Sequence, residues 1–204
     1  MFVVVEGIEG SGKSTLIGGL ARRLEAAGQS VVMTREPGGT AVGDAIRRIF
    51  LDRSMTIAPL TEALLVNAAR AQHVEGVIRP ALSSGRAVLC DRFVDSTLAY
   101  QGYGRGLDLG LLREICDLAV GGLKPSLVVV LDLPWQAARE RLRERAGAAD
   151  RVENEDDAFH ERVRVGFVEL ARSPDHVLLD ATIAAEELAE RAFQICCSAR
   201  NAIS

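Results

Sequence analysis

The clearest chemical signal in the sequence is a phosphate-binding pattern near the N-terminus. Residues 7–14, GIEGSGKS, match G-x-x-x-x-G-K-[ST] between a strand-like and a helix-like run. Glycines there let backbone N–H groups turn toward phosphate oxygens, and the N-terminus of the following helix adds partial positive charge. Lys13 would contact the β- and γ-phosphates of a nucleoside triphosphate, and the Ser14 hydroxyl would help to hold Mg²⁺. The predicted triphosphate-binding residues are Gly7, Ile8, Glu9, Gly10, Ser11, Gly12, Lys13, Ser14 and Thr15.

A carboxylate and two arginines follow other strand-like runs, and a further arginine, Arg47, lies in the segment AIRRIF. Asp91 ends the run AVLCD, so it would lie beside the crevice in which parallel sheets bind ligands. We predict that Asp91 acts at Mg²⁺ or at the phosphates; a simple turn cap is the alternative. One phosphate loop does not need further arginines, and this chain has three of them: Arg35, Arg47 and Arg92. Because a guanidinium group matches phosphate oxygens with two parallel hydrogen bonds, these arginines predict a second anionic ligand, with solvated surface charges as the alternative.

Arg70 lies on the apolar face of a predicted helix. It is in helical register with four apolar residues: Ala63, Val66, Val74 and Val77. A guanidinium group in such a place must find an acceptor, because burying it alone carries a large desolvation cost. Two acceptors are open at this point: the carbonyl group of a nucleobase that faces the helix, or an internal carboxylate such as that of Glu62 or Asp44.

Strand-like and helix-like segments alternate along the chain, which predicts an α/β fold. The strand-like runs are Phe2–Glu6, Ser30–Thr34, Ala87–Asp91, Leu127–Asp132 and His176–Asp180. The helix-like runs are Lys13–Ala27, Val42–Leu51, Leu60–Leu82, Leu109–Val120, Trp135–Arg145, Asp156–Ala171 and Ala185–Cys197. Apolar strands that alternate with helices predict one five-stranded parallel sheet covered on both faces, within a single domain over residues 1–204. The polar stretch 146–157 lacks an apolar period, so we interpret it as a mobile loop between two helices.

Composition narrows the classes of function. The chain has 204 residues, of which 48% are hydrophobic and 25% charged, and its formal net charge is −4. This acidic balance argues against nucleic-acid binding through a basic surface. Apolar runs such as Leu127–Leu131 are too short to cross a membrane, no export signal precedes the first strand, and the four cysteines lack a metal-binding spacing. We expect a cytoplasmic protein with free thiols that binds neither nucleic acid nor membrane.

Five segments of the chain resemble the bacterial thymidylate kinases in their order and spacing: GIEGSGKST, TREPGGT, AARAQHV, DRFVDSTLAYQGYGRG and DRVENED. The resemblance covers essentially the whole chain, from Phe2 to the last predicted helix. It implies a three-layer P-loop kinase fold, with the loop at residues 146–157 as its mobile lid, and a homodimer. The implied reaction is transfer of the γ-phosphoryl group of ATP to dTMP, giving dTDP and ADP with Mg²⁺.

The resemblance also implies how dTMP is bound. Glu9, inside the phosphate loop, occupies the acidic position that contacts the 3′-hydroxyl group of the acceptor sugar. Three arginines match those around the acceptor phosphate: Arg35, Arg47 and Arg92. Four residues match the thymine pocket, of which the first two read the base edge: Arg70, Gln101, Thr97 and Tyr100.

The catalytic residues implied by the resemblance are Lys13, Arg92 and a lid arginine. Members of the family carry a catalytic arginine either in the phosphate loop or in the lid, and the variable loop positions here are Glu9, Gly10 and Ser11. We therefore expect Arg151, in DRVE, to reach the transferring phosphate. Three arginines are candidates for the ATP side, with a solvated helix as the alternative: Arg141, Arg143 and Arg145.

One position departs from the family pattern. A phenylalanine that stacks on thymine usually stands four residues before the base-reading arginine, and Val66 stands there instead, next to Asn67. Valine keeps an apolar contact but cannot stack, so we expect weaker dTMP binding or compensation by Phe93 or Tyr100. The alternatives left open are a kinase for another pyrimidine monophosphate such as dUMP, a nucleotide-binding protein without activity, and a switch that only hydrolyses nucleoside triphosphate.

Overall fold

The computed structural model describes residues 1–144 and 150–201. Arg145 and the first part of the predicted lid, residues 146–149, lie outside the described residues. Within the described part, residues 150–156 form turns without a helix, as the polar stretch predicts. None of the helices in these two ranges is long and apolar enough to cross a membrane.

Five parallel strands form one sheet, as the alternating pattern predicts. The strands are β1 (Phe2–Gly7), β2 (Val31–Arg35), β3 (Ala87–Asp91), β4 (Leu127–Asp132) and β5 (His176–Asp180), in the order β2-β3-β1-β4-β5. All six residues of β1 are buried, which is typical of a central strand covered on both faces. Val5 of β1 pairs with Asp91 of β3, so the end of β3 lies beside the loop that follows β1.

The helices that flank the sheet are α1 (Lys13–Ala26), α2 (Ala41–Leu51), α3 (Pro59–His73), α4 (Arg79–Ser83), α5 (Val94–Thr97), α6 (Leu109–Val120), α7 (Trp135–Glu144), α8 (Asp157–Leu170) and α9 (Ala185–Asn201). Helix α1 packs with α9, and α3 packs with α2 and α6. Most predicted helices agree with these bounds to within a few residues.

The predicted helix Leu60–Leu82 is wrong in one respect. A π-helical turn, Val74–Ile78, separates α3 from α4. A π-helical turn holds more residues than an α-helical one and rotates the following residues around the axis. As a result Ile78 is buried, whereas Val77, which the period of 3.6 places on the core face, is partly exposed.

Residues 94–104 form a helical segment that the periodicity does not predict. Helix α5 continues into a π-helical stretch, Leu98–Gly104, that packs against α8. Gly102 and Gly104 lower the intrinsic helix propensity. At Gly104 a Cβ atom would lie 2.6 Å from the Phe159 ring. Tertiary packing therefore stabilises this helical segment and leaves no space for a side chain at position 104.

Candidate active site

A cleft of about 620 Å³ opens at the carboxyl ends of the central strands. Such a position is where open parallel sheets bind ligands. The cleft is lined by most of the predicted site residues: Glu9, Gly10, Ser11, Gly12, Lys13, Ser14, Thr15, Arg35, Arg47, Val66, Arg70, Asp91, Arg92, Thr97, Tyr100, Gln101 and Arg141. Gly7, Ile8 and Arg151 are not among its lining residues.

The phosphate loop is shaped by three glycines with positive φ, of which Gly7 (φ 136) ends β1. Gly12 (φ 96) immediately precedes α1, and Gly10 (φ 76) approaches α7 so closely that a Cβ atom would lie 2.6 Å from the carbonyl oxygen of Ala138. Lys13 Nζ donates hydrogen bonds to the carbonyl oxygens of Gly7 (3.0 Å) and Ile8 (2.8 Å). Burial, followed by the positive charge of Arg92, lowers the pKa of Lys13 to about 8. The ammonium group is thus buried in the loop that would surround a polyphosphate.

Ser14 and Asp91 lie together at the edge of the cleft. The Ser14 hydroxyl donates a hydrogen bond to Asp91 Oδ2 at 3.0 Å. No group of three or more His, Cys, Asp or Glu side chains that could hold a metal ion occurs in residues 1–144 and 150–201. Mg²⁺ does not need one, because in nucleotide sites it is usually held by one or two protein oxygen ligands together with phosphates and water. The hydroxyl and carboxylate oxygens of this pair fit that requirement.

Arg92 is the central cation of the site. It has a left-handed backbone (φ 73), which is uncommon for a residue with a Cβ atom. Its guanidinium group donates hydrogen bonds to Gly7 O (3.1 Å), Ser96 Oγ (3.1 Å), Glu9 Oε1 (2.7 Å) and Tyr100 Oη (3.2 Å). This network fixes the direction of Arg92 toward the phosphate loop.

The same network explains how an acidic residue is accommodated inside a phosphate loop. Burial raises the pKa of Glu9, but the charges of Arg92 and Lys13, with a hydrogen bond from Tyr100, outweigh burial and lower it below its usual value. Glu9 is therefore an ionised acceptor whose charge is balanced within the site.

Arg35 and Arg47 extend the positive charge away from the phosphate loop. Arg47 donates to the Pro37 carbonyl oxygen at 3.0 Å and has no carboxylate partner among the described residues. Burial, followed by repulsion from Arg35 and Arg92, lowers its pKa. Arg35 is 60% exposed and lies 4.0 Å from Asp44. Arg35, Arg47 and Arg92 all line the cleft, and their role at a second anion stays a prediction.

Arg70 has an internal carboxylate partner, and that partner is neither Glu62 nor Asp44. Its Nε donates to Glu36 Oε2 at 2.8 Å, and both side chains are almost fully buried. The remaining hydrogen bonds go to Asn67 Oδ1 (2.6 Å), Thr97 Oγ1 (3.0 Å), the Phe93 carbonyl oxygen (2.7 Å) and, more weakly, Cys116 Sγ (3.5 Å). The buried Asn67 side chain thus helps to hold Arg70 in place.

Gln101, at the other side of the pocket, is held by Glu62. Its Nε2 donates to Glu62 Oε2 at 3.1 Å. Phe93 and Tyr100, the rings named as possible replacements for a stacking phenylalanine, both line the cleft, and each also packs against or binds other residues. Phe93 packs edge-on against Phe2, with ring centroids 5.2 Å apart, and Tyr100 binds Glu9 and Arg92.

The predicted lid arginine lies outside the cleft. Arg151 Nη1 donates to Glu62 Oε1, its Nε donates to the Phe50 carbonyl oxygen at 2.9 Å, and its guanidinium carbon lies 5.1 Å from the Phe50 ring centroid. Its Nη2 is buried without a partner among the described residues. Contact with a transferring phosphate would require Arg151 to leave Glu62, so that role stays a prediction.

Of the three arginines predicted for the donor side, Arg141 reaches the phosphate loop. It donates to the carbonyl oxygens of Gly10 (3.5 Å) and Ala181 (3.1 Å). Arg143 is exposed and is not among the lining residues, which agrees with the alternative of a solvated helix, and Arg145 lies outside the described residues.

Two buried glutamates, Glu6 and Glu36, were not predicted from the sequence to belong to the site. Glu36 accepts from Arg70 and also contacts His73 Nδ1 at 2.9 Å; its place directly after Arg35 at a strand end was the available signal. Glu6 accepts from the backbone N–H groups of Phe93 and Ser96 and from the Ser96 hydroxyl, so it holds the turn that carries Arg92. Burial and the nearby charge of Asp95 raise its pKa to about 7.

Comparisons with known proteins agree on one family. A sequence model described as thymidylate kinase matches residues 5–192. The thymidylate kinase of Deinococcus radiodurans is 50% identical over 190 residues, which cover 92% of each chain. That of Syntrophotalea carbinolica is 47% identical over 208 residues, covering 98% of this chain and 96% of the relative. The crystal structure of thymidylate kinase from Ehrlichia chaffeensis superposes with a TM-score of 0.77 at 31% identity, covering 96% of this chain and 98% of that one.

Proposed function

The chain belongs to the thymidylate kinase family, and we propose that it transfers the γ-phosphoryl group of ATP to dTMP, giving dTDP and ADP with Mg²⁺. The observation that carries this proposal is the composition of one cleft. It joins a phosphate loop, an arginine cluster for a second anion, and a pocket in which Arg70 and Gln101 offer polar groups to a base. A protein that only hydrolyses ATP needs the first of these features but not the other two.

We assign the catalytic work to positioning and charge neutralisation. The acceptor phosphate is already a nucleophile, so no general base is needed. Two polyanions must approach to bonding distance, and their repulsion is the obstacle. Lys13 would hold the β- and γ-phosphates of ATP, while Arg92, with Arg35 and Arg47, would hold the phosphate of dTMP. Glu9 would accept a hydrogen bond from the 3′-hydroxyl group of the acceptor sugar.

Ser14 and Asp91 would hold the Mg²⁺ ion that accompanies bound ATP, either by direct contact or through water. When bound, the ion neutralises charge on the β- and γ-phosphates. The lid, residues 146–157, would cover the transferring group and exclude water, which otherwise competes as acceptor. Arg141, beside Gly10, would contact the ATP side.

The experiment that tests the function is ADP formation from Mg·ATP without an acceptor and then with dTMP, dUMP, UMP, dCMP or AMP. Strong stimulation by dTMP alone is the expected result. Equal or better turnover with dUMP would transfer the assignment to another pyrimidine monophosphate. ADP release that no acceptor stimulates would indicate a hydrolase, and binding of both nucleotides without any ADP would indicate an inactive binding protein.

The affinity for ATP is expected to fall as the pH rises above about 8. In the free protein Lys13 has a pKa of about 8, lowered mainly by burial, and a polyphosphate favours its charged form. Above that pH, binding must therefore take up a proton, so the association constant should fall by up to about tenfold per pH unit. Titration calorimetry with a non-hydrolysable ATP analogue, in two buffers of different ionisation enthalpy, measures both the affinity and the proton uptake.

Lys13→Arg is the matched control for this pH dependence. Arginine stays charged throughout the range, so its binding, even if weaker, should be independent of pH between 8 and 9.5. If the wild type were also independent of pH and took up no proton, the assignment of Lys13 to the polyphosphate would be wrong.

Restoring a ring at position 66 is expected to strengthen dTMP binding. Val66 lines the cleft one helical turn before Arg70, so a ring there would cover the face of a base whose edge meets Arg70. Base–aromatic stacking is worth about 1–3 kcal/mol, so Val66→Phe should lower the Kd for dTMP by about tenfold. Val66→Leu adds apolar volume without an aromatic face and should change the Kd much less. Weaker binding by Val66→Phe would mean that other groups already fill this space.

We also propose that the protein forms a homodimer through α3 and α6. These helices pack together, and several of their leucines are exposed: Leu60, Leu64, Leu111 and Leu118. Leu118 is 86% exposed, which favours burial against a second copy. Sedimentation equilibrium should give twice the chain mass of 21.9 kDa.

A further inference from the structure

Glu62 is a buried carboxylate behind the base pocket. It precedes Val66 by one helical turn and Arg70 by two, so the three side chains lie on the same face of α3. The Glu62 side chain is only 1% exposed, and it is not among the residues that line the cleft. Any effect on a bound base must therefore pass through a neighbour.

The neighbour that reaches the cleft is Gln101. Glu62 Oε2 accepts from Gln101 Nε2 (3.1 Å) and Arg105 Nε (3.2 Å). Glu62 Oε1 accepts from Arg105 Nη2 (3.0 Å) and from Arg151 Nη1. The two guanidinium groups balance the negative charge of the carboxylate, and both of its oxygens act as acceptors.

This arrangement decides which end of the Gln101 amide faces the cleft. An ionised carboxylate can only accept hydrogen bonds, so it binds the NH₂ end of the amide and repels the oxygen end. Gln101 Oε1 is therefore turned away from Glu62, and it receives no hydrogen bond from the described residues. A glutamine without such a neighbour could present either end.

Arg70 supplies a donor to the same pocket. A guanidinium group has five N–H donors. The Nε hydrogen of Arg70 goes to Glu36, the two Nη1 hydrogens go to Asn67 and Thr97, and one Nη2 hydrogen goes to the Phe93 carbonyl oxygen. One Nη2 hydrogen is left over within the described part of the chain. The pocket therefore offers one acceptor and one donor.

We propose that Glu62 is a specificity-determining positioning residue: by binding the amide nitrogen of Gln101, it presents an acceptor oxygen that selects bases with a hydrogen on N3. Thymine and uracil carry N3–H beside the O4 acceptor, which complements Gln101 Oε1 and the free donor of Arg70. Cytosine carries a lone pair on N3 and an amino group at C4, so both contacts would be repulsive. This inference rests on the proposed function, because it concerns the base of the same acceptor.

The test is the ratio of kcat/KM for dTMP to kcat/KM for dCMP in Glu62→Gln. A glutamine at position 62 can present either oxygen or nitrogen to Gln101, so the Gln101 amide can turn to suit either base. The ratio is expected to fall by at least about tenfold, chiefly through a gain for dCMP, because a mismatched buried hydrogen bond discriminates by that order or more. If Glu62 only supported the fold, both substrates would lose activity together and the ratio would be unchanged, which would overturn the proposal.

Two variants act as controls. Glu155→Gln removes the other carboxylate of Arg105, which lies 2.6 Å away, without touching Gln101, and should leave the ratio unchanged. The double variant Glu62→Gln/Gln101→Glu again places an acceptor-only group at position 101, with the new amide donating to it, and should restore most of the ratio. A double variant no better than Glu62→Gln alone would contradict the proposed mechanism of selection.

Gln101→Met keeps the test decisive if Glu62→Gln does not fold. It removes the amide but leaves Glu62 with Arg105 and Arg151, and its ratio should fall as in Glu62→Gln. A wild-type ratio in Gln101→Met would overturn the proposal.

Equilibrium binding separates this inference from the proposed reaction. The Kd values of dTMP and dCMP, measured by calorimetry without ATP, report base selection in the absence of turnover. A wild type that binds dTMP more tightly than dCMP, with the preference lost in Glu62→Gln, supports the inference even if no ADP is formed. A wild type that phosphorylates dTMP, with the same preference in Glu62→Gln, retains the function and refutes the role of Glu62.

Discussion

Arg92→Met is expected to lower kcat/KM for phosphoryl transfer to dTMP by about 10³-fold, the scale of an arginine at a transferring phosphoryl group. The variant removes the cation that contacts the phosphate loop at Gly7 and Glu9 and that would bind the acceptor phosphate together with Arg35 and Arg47. It also leaves Glu9 without its 2.7 Å ion pair, so a negative charge would face two incoming polyanions. Steady-state kinetics with ATP and dTMP, together with the Kd of dTMP alone, measures how the loss divides between binding and transfer.

Two further variants serve as comparisons for Arg92→Met. Arg92→Lys keeps the charge but loses the planar fork, and should recover only part of the activity. Ser96→Ala removes a hydroxyl that accepts from the same guanidinium group at 3.1 Å, and should cost far less than Arg92→Met. An Arg92→Met variant within tenfold of the wild type would show that Arg35 and Arg47 suffice for the acceptor phosphate.

Arg151→Met is expected to lower kcat by about 10³-fold or more while the Kd of dTMP, measured without ATP, changes little. The physical reason is that Arg151 would stabilise charge on the transferring group only when the lid closes over both nucleotides. In this structure it instead pairs with Glu62 and packs on Phe50. Single-turnover kinetics isolates the transfer step from product release.

Arg105→Met is the matched control, because Arg105 is the other arginine on the Glu62 carboxylate. If Arg151 only balanced the charge of Glu62, the two variants would have similar, modest effects on kcat. A large loss confined to Arg151→Met supports a direct role at the phosphate. Equal losses in both variants would contradict it.

The outline of the active site could be predicted from the sequence because its signals are local. The phosphate loop is a continuous run of residues, and Asp91 and Arg92 directly follow a strand whose end must meet that loop. The bounds of the five strands were predicted to within about one residue, because an apolar run bounded by turn residues is a signal between residues that are close in the sequence. The rotation of Val77 out of the core was missed, since a π-helical turn breaks the period on which such a prediction rests.

The sequence by itself therefore determined the parallel α/β fold, the phosphate loop and the arginines that line the cleft beside it. Only the tertiary structure decided which charges pair. Arg70 took Glu36, 34 positions away, and Glu62 was left to bind Gln101, Arg105 and Arg151, the last of them 89 positions away. An ion pair needs two side chains within a few ångströms, and several carboxylates were equally plausible partners along the chain. The packing of α3 against its neighbours brought one of them within reach of each arginine and kept the others away.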